Sequence, residues 1–227
     1  MNVNLGHPEG IAHAAELGLV PSRLADVVAT HHLYYAGKML FSKTYKARAF
    51  TMIRHPIERA LSTYHAIQLH SKKDEIKNMT LTEYVDSEHV ETNWLTRFLT
   101  NRRQDGKLER EHVEIAKEIL RQKFLIGLYD HFEESIYRIE NFFGWKVTSP
   151  PGKVQGTKLC HDRLVENARQ RDKDDVDFLG TRIKKGDMNY LKLKALNEFD
   201  LELYWYAVQL FKEQEELLKD IIVGVSP

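Results

Sequence analysis

The sequence predicts an α/β fold: a parallel sheet flanked by helices, with an appended helical C-terminal region. Two observations carry this expectation. Short, partly β-branched runs alternate with stretches whose apolar residues recur at helical spacing, and the chain from Asn197 to Ile221 keeps helical spacing. Alternation of that kind favours strands linked by helical crossovers.

Taken in order, Gly6-His-Pro-Glu-Gly10 leads into a short helix through Ala14. The first predicted strand runs from Asp26 to His31, the second from Ala47 to Ile53 and the third from Phe124 to Leu128. Pro56 suits the first position of a helix whose apolar face is Ile57, Leu61 and Tyr64. Further helical faces are Val113, Ala116, Ile119 and Leu120, then Phe132, Ile136, Ile139 and Phe143. Thr80 with Glu83, and Asp130 with Glu133, have capping-box or similar spacing and mark two helix starts. A loop from Thr148 to Gly156, centred on Ser149-Pro150-Pro151-Gly152, precedes the tail. In that tail Phe199, Leu203, Tyr206, Leu210, Leu217 and Ile221 form a stripe read as core packing. The chain is expected to be one domain over 1–227, with a core at 26–145 and a helical region at 157–227.

Composition narrows the function classes. Hydrophobic residues make up 42% of the 227 residues, enough for a sizeable core. Lys+Arg and Asp+Glu number 33 each, so no global field attracts nucleic acid, and an anionic ligand needs a local cluster. Cys160 is the single cysteine and cannot close an intrachain disulfide. No run approaches the length of a membrane span, and Met1 to Gly10 has no signal-peptide pattern. Asn78-Met79-Thr80 is a glycosylation sequon that matters only in a luminal protein. No His-Glu-x-x-His or cysteine cluster points to a metal, and none is expected.

The chemistry-bearing segment is Phe50 to Tyr64, a strand ending in Arg54 that turns into a helix at Pro56. Ligands of open parallel sheets collect at the carboxyl ends of strands, where a helix N-terminus adds unbonded N–H groups. Lys43, Lys46, Arg48, Arg54 and Arg59 stand against Glu58 alone, so this stretch of a neutral chain is basic. An ordinary strand-to-helix turn with solvated arginines is the competing reading.

At these residues the sequence resembles the sulfotransferases that use 3′-phosphoadenosine 5′-phosphosulfate (PAPS). Their 3′-phosphate motif reads Arg-x-Pro-x-x-Arg-x-x-Ser-x-Tyr, and Arg54, Pro56, Arg59, Ser62 and Tyr64 fill it. The resemblance continues through Asn93-Trp-Leu-Thr96-Arg97-Phe-Leu99, Ala116-Lys117 to Leu128, Phe132-Glu-Glu-Ser135, Phe143-Gly144-Trp145 and Asn197-x-x-Asp200-x-x-Leu203-Tyr204. It is closest to the Golgi carbohydrate O-sulfotransferases of the uronyl 2-O type. The resemblance implies a P-loop NTPase-like sheet, transfer of a sulfuryl group from PAPS to a hydroxyl, a carbohydrate acceptor, and a Golgi setting if an anchor precedes this chain.

It also implies roles. Arg54 and Ser62 would hold the 3′-phosphate of the nucleotide, with Arg59 reinforcing the potential or sitting solvated. His32 lies 54 − 32 = 22 residues before Arg54 and matches the second histidine of the family's His-x-His pair. Transfer to a hydroxyl needs a base, and imidazole titrates in the useful range. Adjacent strand residues point to opposite faces, so one of His31 and His32 enters the site, and His32 is preferred. Arg97 could face an anion or make a buried ion pair, and Thr181 to Asp187 reads as a solvated basic loop. The family's opening strand and phosphate loop have no equivalent ahead of Asp26, so both are expected to be missing. The alternative is therefore an inactive or truncated relative that binds PAP, the sulfate-free nucleotide product, or a partner.

Overall fold

The structure, a computed structural model, describes residues 3–102, 106–145, 162–171, 173–174 and 183–222, with side chains to residue 216. It separates into two compact units, Met1–Ala49 and Phe50–Pro227.

In the first unit α1 (Pro8–Glu16) packs on α2 (Leu33–Leu40) around Ile11, Ala14, Ala36 and Leu40. Pro8 pre-sets the first helical turn, and Gly10 is required because a Cβ there would lie 1.9 Å from the Asn4 carbonyl oxygen. The run from Asp26 to His31 is not a strand, contrary to the sequence expectation. Val27 is 45% exposed, and the run is tied to residues 5–6 through side chains. Thr30 Oγ1 donates to the Leu5 carbonyl at 2.8 Å, and His32 Nε2 lies 3.2 Å from the Gly6 carbonyl oxygen. β-branched residues favour extended backbone, but a strand also needs a ladder partner.

Among its described residues the second unit is mostly helical with a small parallel sheet of two strands, so the α/β class holds in coarse form. The strands are β1 (Ala49–Ile53) and β2 (Phe124–Leu128). Between them lie α3 (Pro56–His70), α4 (Asp74–Lys77), α5 (Leu81–Val85), α6 (Trp94–Leu99) and α7 (Arg110–Lys123). After β2 come a 3-10 turn at Tyr129–His131, α8 (Phe132–Phe143), helical residues 162–171 (α9), α10 (Met188–Leu196) and α11 (Glu198–Ile222).

The faces predicted on α3 and α7 are largely buried, whereas of the face predicted on α8 only Ile139 is buried, beside Ser135 and Arg138, and Phe132, Ile136 and Phe143 are half-buried. Ile57, Leu61 and Tyr64 of α3 join Tyr84, Val85 and Leu193 in one core cluster, and Val113, Ala116 and Leu120 of α7 are buried. On α11 Leu203 and Leu210 are buried as the stripe predicted, while Leu217 and Ile221 lie outside the described side chains. All five residues of β2 are buried. Its backbone is also served by a side chain: Ile126 N–H donates to Gln214 Oε1 at 2.8 Å, and Gln214 Nε2 donates to the Phe124 carbonyl at 2.9 Å. The amide of α11 thus closes buried polar groups that a neighbouring strand would otherwise satisfy.

The capping box of Thr80 and Glu83 opens α5 as expected. The one expected at Asp130 and Glu133 does not form. Helix α8 begins at Phe132 after the 3-10 turn, and Tyr204 Oη donates to Asp130 Oδ2 at 2.6 Å, so that carboxylate serves the tail helix instead.

Two of the recognised sequence segments meet in a reciprocal cap. Asp200 Oδ2 accepts from Leu95 N–H at 2.8 Å, and Oδ1 accepts from Thr96 N–H at 2.8 Å and Thr96 Oγ1 at 2.7 Å. In return Asn93 Oδ1 accepts from the N–H groups of Phe199 and Asp200 at 3.0 and 3.1 Å. The N-termini of α6 and α11 therefore satisfy each other's unbonded donors. The loop from Thr148 to Gly156, Cys160 and Arg182 lie outside the described residues.

Candidate active site at the strand ends

The two parallel strands end side by side, β1 at buried Ile53 and β2 at Leu128, and the residues that follow them build the site. Arg54 leaves β1, and Pro56 opens the 15-residue α3 two residues later. The cap residue His55 makes no side-chain cap, so its side chain leaves the N–H groups of the first turn to another acceptor. The Arg54 side chain is 15% exposed. Its guanidinium stacks over the ring of Tyr129, the first residue after β2, at 4.6 Å, and Nε lies 3.9 Å from Glu58 Oε2. A tethered cation thus spans the carboxyl ends of both strands, and Ser62 lies half-buried further along α3.

Arg59, the other arginine of the motif, is occupied. It pairs with Glu91 at 2.5 Å and stacks on Trp94 at 4.9 Å, which makes it a half-buried link between α3 and the α6 region rather than a solvated charge. Among the described residues Arg97 makes no ion pair. Its guanidinium donates to the carbonyls of Thr92, Arg102 and Gly106 and fastens the two ends of α6. In the basic loop Lys184 N–H donates to Asp187 Oδ2 at 2.9 Å, an ordinary turn at the entry to α10.

His32 belongs to the first unit and caps α2, so it does not end a strand as expected. Its ring lies 4.3 Å from that of His31 rather than across a pleat, because the chain turns into the helix here. A carbonyl oxygen only accepts, so its contact with Gly6 places the proton of the neutral ring on Nε2. Nδ1 is then the basic nitrogen.

Sequence reasoning missed His55, Tyr129, Asp130 and Tyr204. His55 sits edge-on to Tyr204 and Trp205, with ring centroids 5.1 and 6.4 Å apart, and its buried Nδ1 has no hydrogen-bond partner among the described residues. Burial lowers its pKa, Asp130 opposes that shift and Lys185 adds to it. Because the folded pKa lies below the ordinary value of about 6.5, the unfolded chain binds the extra proton as pH falls through that value. Folding stability from this group is complete above that pH and is lost on acidification. His55→Gln is expected to flatten the fall of Tm between about pH 7 and pH 5, and an unchanged slope would contradict the assignment. The usable signal was position: Tyr129 and Asp130 directly follow a predicted parallel strand.

Beside Arg54 opens a cleft of about 850 Å³, lined by Glu58, Tyr129, Asp130, Phe132, Glu133 and α9. Among the described residues no group of three or more His, Cys, Asp or Glu side chains could hold a metal ion, and no helix is long and apolar enough to cross a membrane. No family model, curated protein or solved structure matches the chain.

Proposed function

We propose that the chain is a sulfotransferase-like domain with a P-loop NTPase-like core that binds the 3′-phosphate of PAPS and transfers its sulfuryl group to a hydroxyl, with a carbohydrate as acceptor class. The observation that carries this is Arg54, held between Tyr129 and Glu58 where the parallel strands end, with the uncapped start of α3 beside it. A phosphate there meets a preorganised guanidinium and helix N–H groups, and Ser62 is the hydroxyl of the same motif. To bind, the phosphate must take over from Glu58, whose contact at 3.9 Å is long for a hydrogen bond.

In the reaction the acceptor oxygen bonds to sulfur, the bond from sulfur to the 5′-phosphate oxygen breaks, and PAP leaves. His32 Nδ1 is the proposed acceptor of the hydroxyl proton. Neither role calls for a metal. The setting proposed with this function is the Golgi.

The test is calorimetric titration with PAP, followed by transfer of labelled sulfate from PAPS to a panel of neutral, amino-sugar and uronic-acid glycans with enzyme in excess. PAP binding with measurable transfer supports the reading. His32→Ala is expected to slow transfer about 100-fold with PAP affinity unchanged, since the base acts on the acceptor. PAP binding without transfer identifies an inactive relative. Absence of PAP binding would overturn both.

A further inference from the structure

We propose that the 850 Å³ cleft beside Arg54 is an acceptor subsite selective for a hydroxyl compound that carries an ammonium group, such as an amino sugar, and not for a polyanionic glycan. The cleft lies at the carboxyl end of β2, and its lining residue Tyr129 also stacks on Arg54, so an occupant would sit next to the proposed nucleotide site. Its volume suits a small molecule or a short oligosaccharide.

The lining chemistry sets the class. Among the described lining residues the carboxylates of Glu58, Asp130, Glu133 and Glu134 outnumber the guanidinium of Arg169 and the imidazole of His131, while Tyr129, Phe132 and Tyr137 supply aromatic surface. Each carboxylate has a partner: Glu58 lies 3.9 Å from Arg54 Nε, Arg169 pairs with Glu133 at 2.8 Å, Arg138 pairs with Glu134 from outside the lining, His131 Nδ1 lies 3.6 Å from Glu134, and Asp130 accepts from Tyr204. Even so, the Glu133 side chain is 63% exposed and that of Glu134 47%, so both can still face a cation. Aromatic faces flanked by carboxylates attract ammonium groups and can stack on sugar rings, whereas a uronic acid or sulfated chain would bring like charge into the cleft. The acceptor role rests on the sulfuryl-transfer reading, but the preference for a cation does not.

The test uses kanamycin as the hydroxyl-bearing ammonium probe, maltotriose as the neutral control and a chondroitin hexasaccharide as the polyanion, titrated calorimetrically into the full chain at low salt. Kanamycin is expected to bind, maltotriose weakly and the hexasaccharide not at all. Glu133→Gln and Tyr137→Ala, both at exposed positions, should each weaken kanamycin by about three- to tenfold, and Arg169→Gln should strengthen it by a similar factor. Failure of kanamycin to bind, indifference to all three substitutions, or tighter binding of the hexasaccharide would overturn the proposal. PAP is titrated into the same samples. If kanamycin binds as expected and PAP does not, the acceptor role falls with the sulfuryl-transfer reading. If PAP binds and kanamycin does not, only the cleft assignment fails.

Discussion

Arg54→Ala is expected to weaken PAP binding by about 2 to 4 kcal/mol, roughly 30- to 1000-fold, because the phosphate loses a charge-assisted donor that water replaces only in part. The side chain is 15% exposed and its guanidinium is already fixed over Tyr129, so little rotamer entropy is lost when the ligand arrives. Arg54→Lys should recover part of the loss, since an ammonium restores charge but neither the planar fork nor the stacking. Calorimetry on the three proteins reads both steps. Equal affinity for parent and Arg54→Ala would remove Arg54 from the site.

Asp200→Ala should cost about 3 kcal/mol of folding stability, measured by urea denaturation. Asp200 is 1% exposed, and its two oxygens satisfy the N–H groups of Leu95 and Thr96 and the Thr96 hydroxyl. Alanine leaves these donors without an acceptor at a buried helix start, and each buried unsatisfied group costs about 1 to 3 kcal/mol. Burial raises the Asp200 pKa against the pull of those same hydrogen bonds, so the carboxylate carries a desolvation cost of its own. Asp200→Asn avoids that cost and keeps one accepting oxygen, and should therefore be milder than Asp200→Ala. A loss with alanine no greater than that of an exposed substitution would show that the reciprocal cap contributes nothing.

Periodicity made most of the second unit readable from sequence. Ile57, Leu61 and Tyr64 form a buried face because their spacing follows the helical turn, and β2 forms over the predicted residues because Phe-Leu-Ile-Gly-Leu is apolar throughout. Segments whose conformation depends on a partner were less legible. Val27 and Val28 look like strand residues, yet among the described residues the run finds no ladder partner and forms no strand. Asp130 looks like a cap, but Tyr204, 74 residues away, takes its carboxylate. Within the candidate site, Arg54 and Ser62 could be singled out from sequence because their spacing is local. The stacking of Arg54 on Tyr129, the pairing of Arg59 with Glu91 and the burial of His55 against the tail helix join distant segments, and local spacing does not report on such contacts.

The central claim, that Arg54 and the start of α3 receive a 3′-phosphate, is tested most directly by comparing PAP with AMP, which lacks that phosphate, in calorimetric titrations of the full chain. The account predicts that PAP binds at least about 30-fold more tightly, a difference of roughly 2 kcal/mol, and that Arg54→Ala abolishes the difference. Equal affinity for the two nucleotides, or a preference for PAP that survives Arg54→Ala, would contradict it.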